Sequence, residues 1–287
     1  MFRSLKMRRY NGKDYVLDMK NQVIRLNPDF HNELLNNEPG SPKGFKKFGG
    51  SSISNVLIND RFKGQFLAFL HMSRLAMPVL EQKYIKAGQV VEDKLFEFLQ
   101  NKFGPKFSFE HIVASKYQYD YFKGQQKYIG GVPDGLNKTS KIVLEIKSAQ
   151  EKKLEQWVDK YDLPNEYIMQ AQLYAHMLEY PSFIIIAVFL KDSDYVDTEK
   201  IDLNNNKVKV YGPYSVDRNK AQDQMDKINE FWLNYARTGV SPIFDPIRDA
   251  QVLEYLQCRN EDEWFALFNK WKQRGKIDAD IKFEKVK

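Results

Sequence analysis

The sequence predicts a mixed α/β (or α+β) fold with a central mixed β-sheet flanked by helices, and three observations predict it. Short β-branched segments alternate as strands do, most clearly from Ile142 to Lys147 and from Lys207 to Tyr211. Segments with apolar residues at helical spacing come both before and after them. The chain has 287 residues, 43% of them hydrophobic, which suffices for one large core with modest appendages.

The elements follow in order. Residues 1–35 read as short strands or turns, and 36–44 as a loop, because two prolines and two glycines fall in its last six residues. Lys47-Phe48-Gly49-Gly50-Ser51-Ser52 reads as a loop running into a helix, with Ser51 or Ser52 available as N-cap. Helical spacing is expected from Phe62 to Leu75 and from Leu80 to Leu99, where Val91, Leu95, Phe96 and Leu99 share a face. Ile112-Val113, Tyr117 to Phe122 and Tyr128 to Val132 then read as strands, followed by the strand Ile142 to Lys147. Leu154 to Lys160 reads as a short helix and Asn165 to Glu179 as a strong one, stopped by Pro181. Phe183 to Leu190 reads as a buried strand. Residues 217–236 form an amphipathic helix with Met225, Ile228, Phe231, Trp232 and Tyr235 on one face, and the tail is helical. The expected division is an N-terminal extension (1–44), a core (45–245) and a C-terminal helical extension (246–287).

Composition narrows the function classes. The longest apolar run is strand length, so no membrane span is expected. No apolar stretch follows Met1-Phe2-Arg3-Ser4-Leu5-Lys6, so no secretory signal is expected. The single cysteine, Cys258, excludes an internal disulfide framework and a four-cysteine metal or iron–sulfur site, and makes a reducing cytoplasm the default compartment. The net charge of +6 favours an anionic partner, nucleic acid being the commonest. The aromatic content of 14% reads first as core. His31, His71, His111 and His176 lack metal-ligand spacing and read as structural or exposed.

The stretch that carries chemistry is Gly130-Gly131-Val132-Pro133-Asp134-Gly135, followed by Glu145-Ile146-Lys147. Residues two apart in a strand share a face, so Glu145 and Lys147 point together, with Ile142, Leu144 and Ile146 opposite them and free to bury. This leaves the Glu145–Lys147 face for a polar ligand. A hairpin would bring Asp134, eleven residues earlier, beside Glu145. Two converging carboxylates are costly without a cation between them, and Mg²⁺ (with Mn²⁺ as substitute) suits oxygen donors and a substrate phosphate. A lysine beside them can orient water or neutralise charge on a phosphate. The plain alternative is a surface hairpin with an ordinary Asp and a Glu–Lys pair. Glu92, among Val90, Val91, Leu95 and Phe96, reads alone as an exposed helix glutamate. Gln170 and Tyr174 lie four apart on one helix face, where a glutamine can position water or phosphate.

In sequence, Gly88…Glu92, Pro133-Asp134-Gly135, Glu145-Ile146-Lys147 and Gln170…Tyr174 resemble the RecB-type branch of PD-(D/E)xK nucleases, and more closely the lambda exonuclease and YqaJ viral recombinase family. Tyr167 to Gln172 resembles that family's helix with two glutamines, Lys47 to Ser52 its basic-glycine loop, and Phe231-Trp232 with Gly239 and Pro242 its C-terminal pattern. The likeness covers residues 45–245. It implies a restriction-endonuclease-like core. It implies Glu92, Asp134, Glu145 and the Ile146 carbonyl as metal ligands, Lys147 as the catalytic lysine, and Gln170 as a residue that helps position that lysine or the water. Lys47 falls where the family contacts a 5′-phosphate, and Ser51, Ser52, Gln172 and Tyr174 are expected on the substrate side. The implied activity is 5′→3′ exonuclease action on double-stranded DNA ends, for recombination or end processing in a phage-type setting. A homotrimer and a single-strand annealing protein as partner are implied likewise. An endonuclease, restriction-like or structure-specific, and a catalytically inactive DNA-binding module remain as alternative readings.

Overall fold

A computed structural model describes residues 8–60, 63–160 and 163–286. The N-terminal stretch read for a signal and the expected helix start at Phe62 lie outside these residues. The chain opens with a hairpin of β1 (Tyr15–Asp18) and β2 (Val23–Leu26), followed by α1 (Pro28–Leu35). The expectation of strands and turns to residue 35 missed this helix, which Pro28 starts in its first turn. Next come α2 (Ser52–Leu57), α3 (Gln65–Met72) and the long α4 (Lys83–Phe103).

The central sheet has five strands: β3 (Glu110–His111), β4 (Gly135–Asn137), β5 (Ile142–Gln150), β6 (Ser182–Leu190) and β7 (Lys207–Ser215). They lie side by side in chain order, all antiparallel except β5 and β6. That parallel pair runs in register over nine residues, Ile142 opposite Ser182 through Gln150 opposite Leu190. The crossover between them carries α5 (Asn165–Met177). Then follow α6 (Arg218–Thr238), α7 (Ala250–Gln257) and α8 (Glu261–Gln273). Caps set several ends: the Asp217 side chain accepts from Lys220 N–H, Gly239 closes α6 at φ +62°, and Asn260 accepts from Glu263 N–H. No helix among the described residues is long and apolar enough to cross a membrane.

The sheet is covered on both faces. Ala87, Val91, Leu95 and Leu99 of α4 pack with Leu144, Ile146, Ile186 and Val188. The other face, with Val143, Phe183, Ile185 and Phe189, meets α5 and the larger core. This corrects one expectation: the face bearing Glu145 is not open, because α5 covers it and leaves Glu145 only 1% exposed.

Three expected strands are not strands. β3 ends at His111, so Ile112-Val113 follows it as irregular chain, with Ile112 N–H donating to the Asp134 carbonyl. Ala114–Tyr117 is a 3₁₀ turn followed by left-handed residues at Gln118 and Tyr119, and Tyr128 to Val132 makes a single bridge, Phe48 to Ile129. Tyr117 and Tyr121 pack ring on ring at 4.7 Å, so the alternating aromatics serve a folded loop rather than a pleat. The segment after β5 is a 3₁₀ turn and then a π-helical turn at Glu155–Asp159, which seats Trp157 against Tyr167 and Phe189.

The terminal segments join the same core. Tyr15 hydroxyl donates to the Leu256 carbonyl, Arg8 lies over the rings of Tyr255 and Trp264, and Tyr15, Leu26, Leu253 and Trp264 belong to the cluster that holds Phe48 and Trp232.

Candidate active site

The site begins where β4 leaves β5. Their pairing ends at Gly135 opposite Leu144. Beyond it, the Ile146 N–H donates to Asp134 Oδ2 at 2.6 Å, so a carboxylate takes over from the ladder. A strand residue presents N–H and C=O to the same edge, so the Ile146 carbonyl opens into the same fork. Gly135 is required here: a Cβ would stand 2.7 Å from the Phe96 ring.

Glu145 Oε1 accepts from Lys147 Nζ at 2.5 Å and from Gln170 Nε2 at 2.6 Å. Gln170 Oε1 accepts from the same ammonium at 3.3 Å, and the ammonium lies 4.9 Å from the centroid of Tyr167. The expected constellation of Asp134, Glu145, Lys147 and Gln170 is thus assembled, and Tyr167 is an addition. Tyr167 lies three residues before Gln170, so the same helical spacing places it on that face.

Charge in this fork is unbalanced. Burial, then the charge of Glu145, holds Asp134 well above the usual carboxylate range. Burial also raises Glu145, against the pull of Lys147. Burial draws Lys147 down, but the charges of Glu145 and Asp134 outweigh it, and the ammonium is held above its ordinary value.

Glu92, on α4, does not complete a three-carboxylate cluster. Its Oε1 shares a 2.9 Å hydrogen bond with His111 Nε2, although its charge still acts on Asp134 and Glu145. His111 stacks on Phe96 at 4.3 Å. Sequence spacing groups His111 with the other histidines; its link to Glu92 is made in the tertiary structure, and no local pattern signals it.

The donors present fit a divalent cation. Glu145 Oε2 is buried with no protein partner, and it belongs to a pair of carboxylates that converge with one ammonium for compensation. Among the described residues no three histidine, cysteine or carboxylate side chains form a cage. Mg²⁺ needs none, since it keeps several waters and is commonly bound by one or two carboxylates.

The expected substrate residues fare differently. Lys47 Nζ donates to Asp120 Oδ2 at 2.8 Å and to the Gln126 carbonyl at 2.7 Å, so it braces a loop. It also lines a cleft of about 400 Å³ with Lys46, Arg74, Tyr119 and Gly131. Ser51 is exposed. Neither serine caps α2: Ser52 Oγ turns back to accept from Gly49 N–H and donate to Gly49 O.

Two residues are corrected. Tyr174 is 1% exposed, and its hydroxyl accepts from Gly50 N–H at 2.8 Å, so it holds a loop instead of meeting substrate. Gln172 is buried on the far side of α5, where it accepts from Asp217 N–H. A larger cleft of about 670 Å³, between α4 and Ile201–Asn204, shares no residue with the site.

The loop is tightly fitted. A Cβ on Gly131, at φ +111°, would lie 2.1 Å from the Tyr174 hydroxyl, and one on Gly49 would lie 2.6 Å from the Gly130 carbonyl. Gly131→Ala is expected to destabilise the protein by about 2–4 kcal/mol, read as a lower urea midpoint. Tyr174→Phe removes one buried hydrogen bond and is expected to cost only about 1 kcal/mol. Equal midpoints for Gly131→Ala and the parent would refute the close approach.

No protein-family model matches the chain. An uncharacterized protein of Mycoplasma genitalium is 24% identical over 238 residues, covering 69% of this chain and 83% of that protein. Its homolog in Mycoplasma pneumoniae, also uncharacterized, is 22% identical over 275 residues, covering 80% and 93%. Among solved structures, an alkaline exonuclease from Laribacter hongkongensis is similar with a TM-score of 0.47 at 14% identity, covering 74% of this chain and 91% of that one. The same enzyme in complex with dAMP gives 0.46 at 14% identity, covering 79% and 94%. At these identities and scores, the reading of the site rests on its own geometry.

Proposed function

We propose that this chain is a Mg²⁺-dependent deoxyribonuclease that hydrolyses phosphodiester bonds, acting as a 5′→3′ exonuclease on double-stranded DNA ends. The observation that carries the reading is the fork itself: Asp134 and a buried Glu145 with a bare Oε2, next to an ammonium clamped by Glu145 and Gln170. Asp134, Glu145 Oε2 and the Ile146 carbonyl would hold the cation, with Glu92 close enough to act on it electrostatically or through water. When bound, Mg²⁺ supplies polarisation of a phosphate oxygen and a more acidic water. Lys147 faces charge developing on the phosphate, and its two partners fix it in place, so little reorganisation is needed as that charge forms. Gln170 keeps the lysine and Glu145 in one geometry. Recombination or end processing, a homotrimer and an annealing partner belong to the same proposal and rest on the motif resemblance.

The test is digestion of linear duplex DNA, 5′-phosphorylated or not, beside a closed circle, with Mg²⁺ or EDTA. Loss of the linear form alone, only with Mg²⁺, supports the exonuclease. A cut circle would replace it with an endonuclease, and intact DNA throughout, despite tight binding, with an inactive binding module.

His111 supports Glu92 from behind, and groups that orient metal ligands typically matter about 10–100-fold in metal affinity. His111→Ala is therefore expected to weaken Mg²⁺ activation about tenfold, seen as a rightward shift of the Mg²⁺ titration with the plateau rate nearly kept. An unshifted titration would remove Glu92 from the cation's surroundings.

A further inference from the structure

The loop from Tyr117 to Phe122 exposes an aromatic ring that no core contact explains. Tyr119 is 73% exposed, more than any other aromatic among the described exposed apolar side chains. It sits at φ +64°, directly after Gln118 at φ +53°. Two consecutive non-glycine residues in the left-handed region are strained, and such strain persists only where the surroundings impose it.

The surroundings do impose it. Tyr119 N–H donates to the Ala114 carbonyl at 2.9 Å, and Tyr121 N–H donates to the Gly131 carbonyl at 2.8 Å. Asp120, between them, accepts from Phe122 N–H and takes the Lys47 ammonium. Beneath the tip, the Tyr117 and Tyr121 rings pack together. A rigid, strained base thus holds one ring in solvent.

The position gives the ring a use. Tyr119 lines the same cleft as Lys46, Lys47 and Arg74. Gly130 and Gly131 line it too, and the chain runs from them through Pro133 to Asp134. The Gly131 wall of this cleft abuts the Tyr174 hydroxyl, and Tyr174 lies within electrostatic reach of Glu145 and Asp134. A ring at a cationic cleft beside the carboxylates is placed for the flat face of a nucleobase, while cations attract its phosphates.

We infer that Tyr119 is a stacking platform for an unpaired nucleobase of the DNA strand that enters the site. The inference rests on the nuclease reading above and adds a substrate contact to it. Stacking on an aromatic face tolerates every base, so Tyr119 promotes strand engagement without selecting sequence.

The test is fluorescence anisotropy in EDTA with the full chain, using a 5′-phosphorylated duplex with a two-nucleotide unpaired end and the same duplex made abasic at those nucleotides. The parent and Tyr119→Phe are expected to lose about tenfold in affinity when the bases are removed. Tyr119→Leu is expected to bind the intact duplex about tenfold more weakly and to ignore base removal. Its salt dependence should match the parent's, since no charge is lost. A Leu variant that binds like the parent, or still senses the missing bases, overturns the platform and leaves the nuclease reading intact. A parent protein that neither binds nor cuts DNA overturns both.

Discussion

Lys147→Ala is expected to lower the rate of phosphodiester cleavage by on the order of 10³-fold, with little change in DNA affinity. The ammonium is 19% exposed in its side chain and held by Glu145 and Gln170 over Tyr167, so nothing nearby can take its place. Loss of the lysine also strands the buried Glu145. Breaking a buried pair by removing one partner costs about 3–5 kcal/mol, so the metal-free variant should melt lower than its parent. Mg²⁺ should recover much of that loss while leaving cleavage absent. Single-turnover rates and melting curves, with and without Mg²⁺, separate the two effects. Cleavage within threefold of the parent would remove Lys147 from the chemistry.

Asp134→Asn is expected to abolish activity as completely, with the opposite effect on stability. Asparagine still offers an oxygen to the Ile146 N–H, so the strand fork survives. What disappears is a carboxylate held well above its ordinary range by burial and by Glu145. The sign follows from proton linkage. A raised folded-state pKa means that the folded protein keeps a proton the unfolded chain has already released. The stabilisation from that proton is full below the ordinary carboxylate range and is lost as pH rises through the raised value. The metal-free parent should therefore lose melting temperature across that window, and Asp134→Asn should lose less. At neutral pH the variant is expected to melt on the order of 3 °C above the metal-free parent. Mg²⁺ should raise the parent's melting temperature and leave the variant's nearly unchanged. A variant that still responds to Mg²⁺ like the parent would show that Asp134 is not a ligand.

Legibility in the sequence followed the strength of local periodicity. Ile142 to Lys147 could be read because its alternation separates two faces, and β6 because Phe183 to Leu190 is apolar throughout. The 3.6-residue period likewise located α6 and placed Gln170 and Tyr174 together on α5. Periodicity gives a face, however, and not what that face meets. Gln170 meets Lys147, whereas Tyr174, one turn on, meets the Gly50 backbone. Gln172 projects to the other side, and only the tertiary packing of α6 shows that it is buried. The segment from Tyr117 to Phe122 misled because aromatic residues favour strands in general. Here a left-handed pair and hydrogen bonds to Gly131 bend it into a loop. The link from His111 to Glu92 depends on α4 lying over β3, which no local pattern contains.

Helix α5 also sets how the chain tolerates insertions and deletions. Along one short helix, Gln170 addresses the lysine, Gln172 the start of α6, and Tyr174 the glycine loop. The first and last of these are only about 6 Å apart along the axis. Adding or deleting one residue among them would turn everything downstream by about 100° and put at least one of the three contacts out of phase. Length changes should therefore be rare within α5 and common at exposed turns such as Asn204-Asn205, where no second element keeps count.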